Sequence, residues 1–248
     1  MSNAARIARL GDRFVTFVAM LLVLCMMLYG GYSLYDNWLI NQAGYGSEMM
    51  KFKPSEGHVY SLAELMKINP DVIGWITVDD THIDQPVTQG KDDMEYVNKD
   101  ALGEFALSGS VFLSCLNNRD FSDAYNLTYG HHMENGGMYG DVTKFLDKKY
   151  FESHKTGTLY NDKYTWDISL FAVLKTDAGD PVVYNPSSYK GSASDVISYL
   201  EKNAEHYRSV PSDSQSQVIA LSTCYDTETN GRVIVFGKLE NKREVKDS

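Results

Sequence analysis

The sequence predicts a mainly β domain, closed into a barrel, that follows one N-terminal membrane helix. Residues 14–35 form an apolar run of about 22 residues without a charge, including VAMLLVLCMMLYGG. From Ile73 onward the chain changes to short β-rich segments separated by Gly, Asn and Asp, such as GWITV, THIDQPV, GSVFLS and YTWDISLFAVLK. Because short strands in an open sheet would leave several edges unpaired, these segments favour a closed barrel.

The charge of the chain separates a basic N-terminus from an acidic domain. The 248 residues carry a formal net charge of −10; residues 1–35 carry +2, so the remainder carries −12. Such a domain has no electrostatic footprint for nucleic acid, and we expect no nucleic acid partner. The length suits a single domain of roughly 180 to 200 residues plus an anchor.

The apolar run is long enough for a helix that crosses the ~30 Å hydrocarbon core of a membrane. A cleaved signal peptide is the alternative, but the run is longer than a usual signal core and no Ala-x-Ala type of cleavage site follows it. Basic residues before the run and Asp36 after it predict a cytoplasmic N-terminus and an extracellular domain in the cell membrane. The expected organisation is a cytoplasmic segment at 1–13, a transmembrane signal-anchor at 14–35, a stalk at 36–59 and a catalytic domain at 60–248.

Three helices are predicted among the β segments. Ser61 and Glu64 match a capping box for a helix that ends at Pro70. Its apolar stripe comprises Leu62, Leu65, Met66 and Ile68. Asp141 can cap a second helix in VTKFLDKKYF, and residues 192–207 have the spacing of a third.

The segment from Val218 to Phe236 predicts a β-hairpin. Two runs rich in β-branched residues, VIALSTC and RVIVF, flank a polar segment closed by Asn230-Gly231. If Cys224 and Arg232 are paired, their side chains emerge on one face of the ladder. A fixed cation is one of the few groups that lower a Cys pKa from its usual ~8.5, so Cys224 is a candidate nucleophile at the end of its strand.

The other two cysteines are expected to be structural. Cys25 lies in the apolar run, and Cys115 follows a β segment on the face of Val111 and Leu113, which predicts core packing; a disulfide with Cys224 is the alternative. The chain has no Cys/His spacing typical of a zinc site. We therefore expect no metal and no cofactor.

A base for the cysteine is predicted in the run Tyr129-Gly130-His131-His132, which ends a β segment and enters a glycine-rich loop. Adjacent residues of an extended chain point to opposite faces, so only one histidine can approach Cys224. The residues alone leave the choice open. The remaining histidines are expected to be surface residues without a partner: His58, His82, His154 and His206.

TYGHH at 128–132, LSTC at 221–224 and Arg232 together resemble the signature of the sortases, the membrane-bound cysteine transpeptidases of Gram-positive bacteria. Further segments resemble class B sortases: INPDVIGWI at 68–76, IDQPV at 83–87 and GSVFL at 109–113. The resemblance covers roughly residues 60–240. It implies an eight-stranded β-barrel with an extra N-terminal helix and a long helix before the nucleophile strand.

The resemblance also implies the chemistry. Cys224 would attack a threonine carbonyl in the C-terminal sorting signal of a secreted protein, expected to be of the Asn-Pro-x-Thr type. His131, the histidine directly after glycine, would protonate the leaving amine and deprotonate an incoming amine from a cell-wall precursor. Arg232 would hold the substrate and stabilise the oxyanion with the main-chain N–H of Tyr225.

Substrate-binding residues are less evident from the sequence. Ser222 and Thr223 precede the nucleophile and could line the groove, while Val97 and Tyr189 lie in segments that resemble its walls, with ordinary packing as the alternative. Some class B sortases polymerise pilins instead of anchoring proteins to the wall. The remaining alternatives are a hydrolytic cysteine peptidase, an L,D-transpeptidase and a non-enzymatic β-domain that binds the cell wall.

Overall fold

The computed structural model describes residues 3–44, 49–54, 60–189, 191–211, 215–224 and 230–245. The chain divides into two compact units, Met1–Asn41 and Gln42–Ser248. A long helix, α1, spans Asn3–Gly44, and its part from Arg9 to Trp38 is long and apolar enough to cross a membrane by length and composition. The helix thus extends beyond the predicted apolar run at both ends.

The second unit is a closed eight-stranded β-barrel, as predicted, with a ninth short strand at its side. The strands are β1 (Val72–Val78), β2 (Asp84–Thr88), β3 (Val111–Leu113), β4 (Tyr125–Tyr129), β5 (Thr156–Tyr160), β6 (Tyr164–Asp177), β7 (His206–Tyr207), β8 (Gln217–Cys224) and β9 (Gly231–Glu244). They pair in the order β5-β1-β2-β3-β4-β8-β9-β6, and pairing of β5 with β6 closes the ring. Strand β7 pairs with β6 outside it.

The central parts of β8 and β9, residues 218–221 and 233–236, are buried on both faces, which explains why both runs are continuously apolar. Alternate residues of each strand belong to two different core clusters, because successive side chains of a strand point to opposite faces. Ile219, Leu221, Val233 and Val235 belong to one cluster with the interior of the barrel. Val218, Ala220, Ile234 and Phe236 belong to the other, with the apolar residues of the helix α4 (Ser194–Asn203).

The first predicted helix is α2, which spans Tyr60–Ile68 and therefore contains Ser61 instead of starting after it. The side chain of Ser61 lies outside the described part, so the capping box stays a prediction. Leu62 and Leu65 are fully buried, against Trp75 of β1 among others, whereas Ile68 is 56% exposed and does not belong to the stripe.

The predicted cap at Asp141 is wrong. Residues Gly140–Leu146 form a 3₁₀ helix, and the helix α3 follows at Lys148–Ser153. The N-cap of α3 is Asp147, whose carboxylate accepts a hydrogen bond from the main-chain N–H of Tyr150 at 2.9 Å. The Asp141 carboxylate is instead buried beside Lys144 at 2.7 Å. It also accepts a bond from the main-chain N–H of His82 and lies 2.9 Å from Nδ1 of that ring. His82, expected to have no partner, is therefore paired.

The third predicted helix is shorter than expected. The helix α4 ends at Asn203, and Ala204 already has an extended backbone. The following residues hydrogen-bond to β6 through Glu205 N to Val173 O and Arg208 N to Phe171 O, both main-chain bonds. Pairing with a strand edge thus replaces the last helical turn that the spacing predicted, and Tyr207 belongs to β7.

Candidate active site

Strands β8 and β9 are paired with each other, as the hairpin prediction requires. They are antiparallel, and the last residue pair of the ladder is Cys224 with Arg232. The backbone therefore brings the candidate nucleophile and the candidate cation to one end of the barrel wall. Tyr225, expected to supply a main-chain N–H, and the side chain of Cys224 lie outside the described part of the chain.

Strand β4 brings the histidine segment to the same end. It runs parallel to β8, with Tyr129 paired to Ser222. Beyond the ladder, the main-chain N–H of Gly130 donates to Ser222 O at 3.1 Å and the Thr223 hydroxyl donates to Gly130 O at 2.8 Å. The chain therefore follows β8 beyond the end of β4, and by sequence count His131 is as far from Tyr129 as Cys224 is from Ser222.

A glycine is required immediately before His131. A Cβ built on Gly130 would lie 2.7 Å from the ring of Tyr139, which is fully buried. The Tyr139 hydroxyl is fixed by Thr128 Oγ1 at 2.8 Å, so the ring cannot move aside without breaking a buried hydrogen bond. Close packing thus explains the Tyr-Gly-His pattern that the sequence contains.

The structure brings His131, and not His132, to the candidate site. The His131 ring is half-buried, and its Nε2 lies 2.7 Å from the main-chain oxygen of Val97. Because a carbonyl oxygen can only accept, this contact requires hydrogen on Nε2. His132 forms a bridge with Met138, and its Nδ1 is buried without a hydrogen-bond partner among the described residues.

A cavity of about 410 Å³ opens beside these strand ends. Its lining includes sequence-predicted residues from four parts of the chain: Val97, His131, Ser222 with Thr223, and Arg232. Ser222 and Thr223 are nearly fully buried, at 2% and 3% exposure, so each presents only a small surface to the cavity. The size suits a few residues of an extended peptide.

Arg232 contributes a positive charge to this cavity. Its Nη1 donates to the main-chain oxygen of Gly231 at 3.0 Å. No carboxylate of the described residues lies within ion-pair distance of Arg232. The guanidinium therefore retains donors for an anionic or carbonyl group of a ligand.

An aromatic wall that sequence reasoning missed forms one side of the cavity. The Tyr129 ring packs against Phe112 at 5.3 Å between centroids and lies nearly parallel to Tyr184 at 6.3 Å. The Tyr184 hydroxyl is 2.9 Å from the Ser222 hydroxyl. Burial, with the Asp93 carboxylate as a smaller cause, raises the pKa of Tyr129 well above its ordinary value, so the Tyr129 hydroxyl stays protonated. Tyr184 lies in the irregular segment after β6, where no periodic pattern indicates a contact.

The carboxylate of Asp93 lines the cavity and holds the turn after β3. It accepts hydrogen bonds from the Ser114 hydroxyl at 3.0 Å and from the main-chain N–H of Cys115 at 2.6 Å. The strand ends at Leu113, so Cys115 lies in a turn, exposed and as a free thiol. The predictions of core packing and of a disulfide are therefore wrong. Desolvation and then the Asp93 charge raise the pKa of this thiol.

Tyr189 does not line this cavity. Its ring packs edge-on against Tyr125 at 5.7 Å between centroids, and it borders a separate hollow with Asp195 and Tyr199. Of the four substrate-binding candidates from the sequence, three therefore lie at the cavity.

Comparison with known proteins gives one consistent family, although no family model matches the chain. A curated sortase B of Listeria monocytogenes is 32% identical over 184 residues, which cover 73% of this chain and 74% of the relative. A curated sortase B of Staphylococcus aureus is 27% identical over 237 residues, covering 92% and 97%.

Among solved structures, a Streptococcus pyogenes class B sortase involved in pilus biogenesis is 39% identical, with a TM-score of 0.67. The match covers 72% of this chain and 97% of that chain. Relatives and structures thus agree on both sequence and fold over the barrel domain.

Proposed function

This chain belongs to the class B sortases, a family of cysteine transpeptidases, and we propose that it cleaves a C-terminal sorting signal after threonine and joins the threonine carbonyl to an amine. The acceptor in the cell is an amine of a cell-wall precursor. The reacting residues are Cys224, His131 and Arg232.

One observation supports this assignment most directly. Two segments distant in sequence meet at one end of the barrel: the β8–β9 hairpin, where Cys224 is paired with Arg232, and the end of β4, which His131 follows by two residues. A nucleophile, a proton donor and a fixed cation are the groups that acyl transfer by a thiol requires. The cavity beside them is large enough for the residues on either side of the scissile bond.

In the first half-reaction the Cys224 thiolate attacks the threonine carbonyl carbon, and the carbonyl π electrons move to oxygen. Arg232 and the main-chain N–H of Tyr225 donate hydrogen bonds to this oxyanion. When the intermediate collapses, the bond between carbon and the leaving nitrogen breaks, and His131 supplies the proton that this amine needs. The product is a thioester between Cys224 and threonine.

In the second half-reaction an incoming amine attacks the thioester carbon, and His131 takes its proton. The new amide forms as the carbon–sulfur bond breaks and the thiolate returns. Water attacking the same thioester would give hydrolysis, which is the slower competing reaction. The same three residues thus serve both halves, with His131 changing from acid to base.

The cavity walls are proposed to contact the sorting signal. Phe112, Tyr129 and Tyr184 offer apolar aromatic surface, which suits the proline of an Asn-Pro-x-Thr signal. The Ser222 hydroxyl adds a polar group that can orient a peptide backbone, and Val97 contributes to the cavity wall. Thr223 acts indirectly, because its hydroxyl donates to Gly130 O, beside His131.

The helix α1 is proposed to anchor the enzyme in the membrane through its apolar part, Arg9–Trp38. Arg6, Arg9 and Arg13 precede the uncharged run at 14–35, so the N-terminus is expected in the cytoplasm and the barrel on the outer face. This orientation gives the cavity access to secreted proteins and to the cell wall.

Pilin polymerisation is a second candidate role. Two solved structures with higher identity to this chain than the curated relatives are related to pili: the Streptococcus pyogenes enzyme involved in pilus biogenesis, at 39%, and sortase B from the type II pilus of Streptococcus pneumoniae, at 36%. In that role the acceptor would be an amine of a pilin subunit.

The test is a reaction of the full-length chain in detergent with Asn-Pro-x-Thr peptides, x being varied, and either triglycine or a lysine peptide as the amine. Mass spectrometry distinguishes the outcomes. A ligated product supports transpeptidation, and its preferred amine separates wall anchoring from pilin joining. Hydrolysis alone would identify a peptidase, and unchanged peptides would identify a binding domain.

A further inference from the structure

The hydrogen bond between His131 and Val97 determines which ring nitrogen can exchange a proton. The Val97 main-chain oxygen lies 2.7 Å from Nε2 and accepts its hydrogen, so Nδ1 is the nitrogen left to gain or lose a proton. We propose that the Val97 carbonyl is a positioning group for His131, and that Gly109 and Tyr96 hold this carbonyl in place. The inference rests on the proposed function, in which His131 transfers the protons.

The proton steps then have a fixed geometry. In the first half-reaction the Nδ1–H bond breaks and its proton goes to the leaving nitrogen as the carbon–nitrogen bond breaks. In the second, the Nδ1 lone pair takes a proton from the incoming amine as the new carbon–nitrogen bond forms. The Nε2–H remains bonded to Val97 in both, so the ring keeps its orientation while its charge changes.

Gly109 holds the carbonyl by close backbone packing. It has a φ of +59°, and a Cβ there would overlap the Val97 oxygen and lie 2.8 Å from the Tyr96 oxygen. The overlapping atoms belong to the backbone, so no side-chain rotation relieves the overlap. The main-chain N–H of Ser110 also donates to Tyr96 O at 3.0 Å, which fixes the two segments together. This packing gives a physical reason for the glycine of GSVFL.

Tyr96 ties the same turn to the end of α2. Its side chain is fully buried, and its hydroxyl donates to Asp71 Oδ2 at 3.0 Å and accepts from Asn69 Nδ2 at 3.0 Å. The Asn69 amide also donates to Ala101 O at 3.1 Å. The segment Asn69-Pro70-Asp71 therefore supports the turn that carries the partner of His131, although it lies outside the cavity.

Gly109→Ala tests the carbonyl, and Gly103→Ala is its matched control. Gly103 also has a positive φ, +91°, in the same connection between β2 and β3, but the nearest atom to its added Cβ is Lys99 Cε at 3.8 Å. Both substitutions impose backbone strain, and only the first displaces the Val97 oxygen. Tyr96→Phe removes the hydroxyl bonds to Asn69 and Asp71 while keeping the ring.

Two readouts are measured on the full-length chain in detergent micelles. The first is the His131 Nε2–H resonance of ¹⁵N-histidine-labelled protein at about pH 8, above the usual histidine pKa. His131→Gln assigns this resonance by its loss. The second is the rate of peptide ligation, separated into kcat and KM. If the Val97 carbonyl only stabilised the fold, a folded variant would keep the resonance and the wild-type values of kcat and KM.

We expect the wild type and Gly103→Ala to show the Nε2–H resonance, and Gly109→Ala to lose it by exchange with water. Its kcat should fall roughly ten- to a hundredfold with little change in KM, because a displaced proton donor affects the chemical step. Tyr96→Phe should show a smaller loss in both readouts, and it decides the question if Gly109→Ala does not fold.

The role of the carbonyl would be overturned if folded Gly109→Ala kept both the resonance and the wild-type kcat. If only Tyr96→Phe folds, the same result in that variant would overturn it. Absence of the resonance from an active wild type would overturn it as well. A wild type that shows the resonance but ligates no peptide would instead count against the proposed function alone.

Discussion

The hydroxyl groups of Tyr184 and Ser222 lie 2.9 Å apart at the wall of the cavity that also contains His131 and Arg232. Tyr184 follows β6 in the chain, whereas Ser222 lies on β8, two residues before Cys224. This contact therefore joins the irregular segment after β6 to the nucleophile strand.

Tyr184→Phe should weaken substrate binding without unfolding the barrel. The ring remains stacked on Tyr129, but one neutral hydrogen bond, worth about 0.5–1.5 kcal/mol, is lost. We expect kcat/KM to fall roughly three- to tenfold, mainly through KM, in steady-state ligation assays. Tyr189→Phe is the matched control, because Tyr189 lies outside the cavity. A rise of KM in the control, with none in Tyr184→Phe, would restore the groove role predicted for Tyr189 from the sequence.

Arg232→Lys should lose most of the activity. Lysine keeps the charge but lacks the planar fork that can bind an oxyanion and a backbone carbonyl together. Removing one oxyanion donor typically costs about a hundredfold or more in kcat, and we expect a loss of that order.

Arg243→Lys provides the comparison for this loss. It lies on the same strand, where it pairs with Asp167 at an exposed position far from Cys224. Its ligation rate should stay within about twofold of the wild type, since exposed ion pairs contribute little. Near-normal activity in Arg232→Lys would eliminate the proposed role of the guanidinium.

Labelling with a peptide vinyl sulfone should separate the two cysteines of the barrel domain. Cys115 is exposed, but its raised thiol pKa leaves little thiolate at neutral pH. Cys115→Ser should therefore label and ligate like the wild type, whereas Cys224→Ser should do neither. The labelled peptide is identified by digestion and mass spectrometry, and a label on Cys115 would show that the nucleophile was assigned wrongly.

Asp141→Asn should destabilise the barrel in a pH-dependent manner. Burial alone would raise the Asp141 pKa, but hydrogen bonds from Lys144 and His82 outweigh it and hold the pKa below its ordinary value. A depressed folded pKa stabilises the native state above the unfolded value near pH 4, and this contribution is lost as the pH falls through the folded pKa.

We expect a loss of about 1–3 kcal/mol in the free energy of unfolding at pH 7, measured by denaturant titration with tryptophan fluorescence. At a pH below the folded pKa of Asp141, where the carboxyl is protonated in both states, the variant and the wild type should converge. Asp162→Asn changes an exposed carboxylate and should have no comparable effect. A difference that persists undiminished in acid would exclude the charge as its source.

The β8–β9 hairpin could be predicted because it depends on local pattern. Two β-rich runs separated by a polar segment predict two paired strands, and the structure adds the register, in which Cys224 is paired with Arg232. The choice of His131 over His132 required the family resemblance. Adjacent side chains of an extended chain point to opposite faces, and the sequence does not indicate which face is turned toward Cys224. The structure distinguishes them by the cavity and by the bond to Val97.

The rest depends on contacts between distant segments. Strand β3 has only three residues, so alternation does not extend to Cys115, which lies in the turn held by Asp93. Asp141 is a residue type that often caps helices, but here its carboxylate is buried and accepts a hydrogen bond from the main-chain N–H of His82, 59 positions away in sequence. Tyr184 likewise meets Ser222 only after the barrel closes.

The most direct test of the account is the intact mass of the full-length chain after incubation with an Asn-Pro-x-Thr peptide in the absence of an amine. We predict an acyl adduct on Cys224 whose mass corresponds to the peptide up to threonine. Addition of triglycine or the lysine peptide should remove the adduct and yield the ligated peptide, and Cys224→Ala should form neither. Cleavage that persists in Cys224→Ala, or an adduct on another residue, would contradict the central claim.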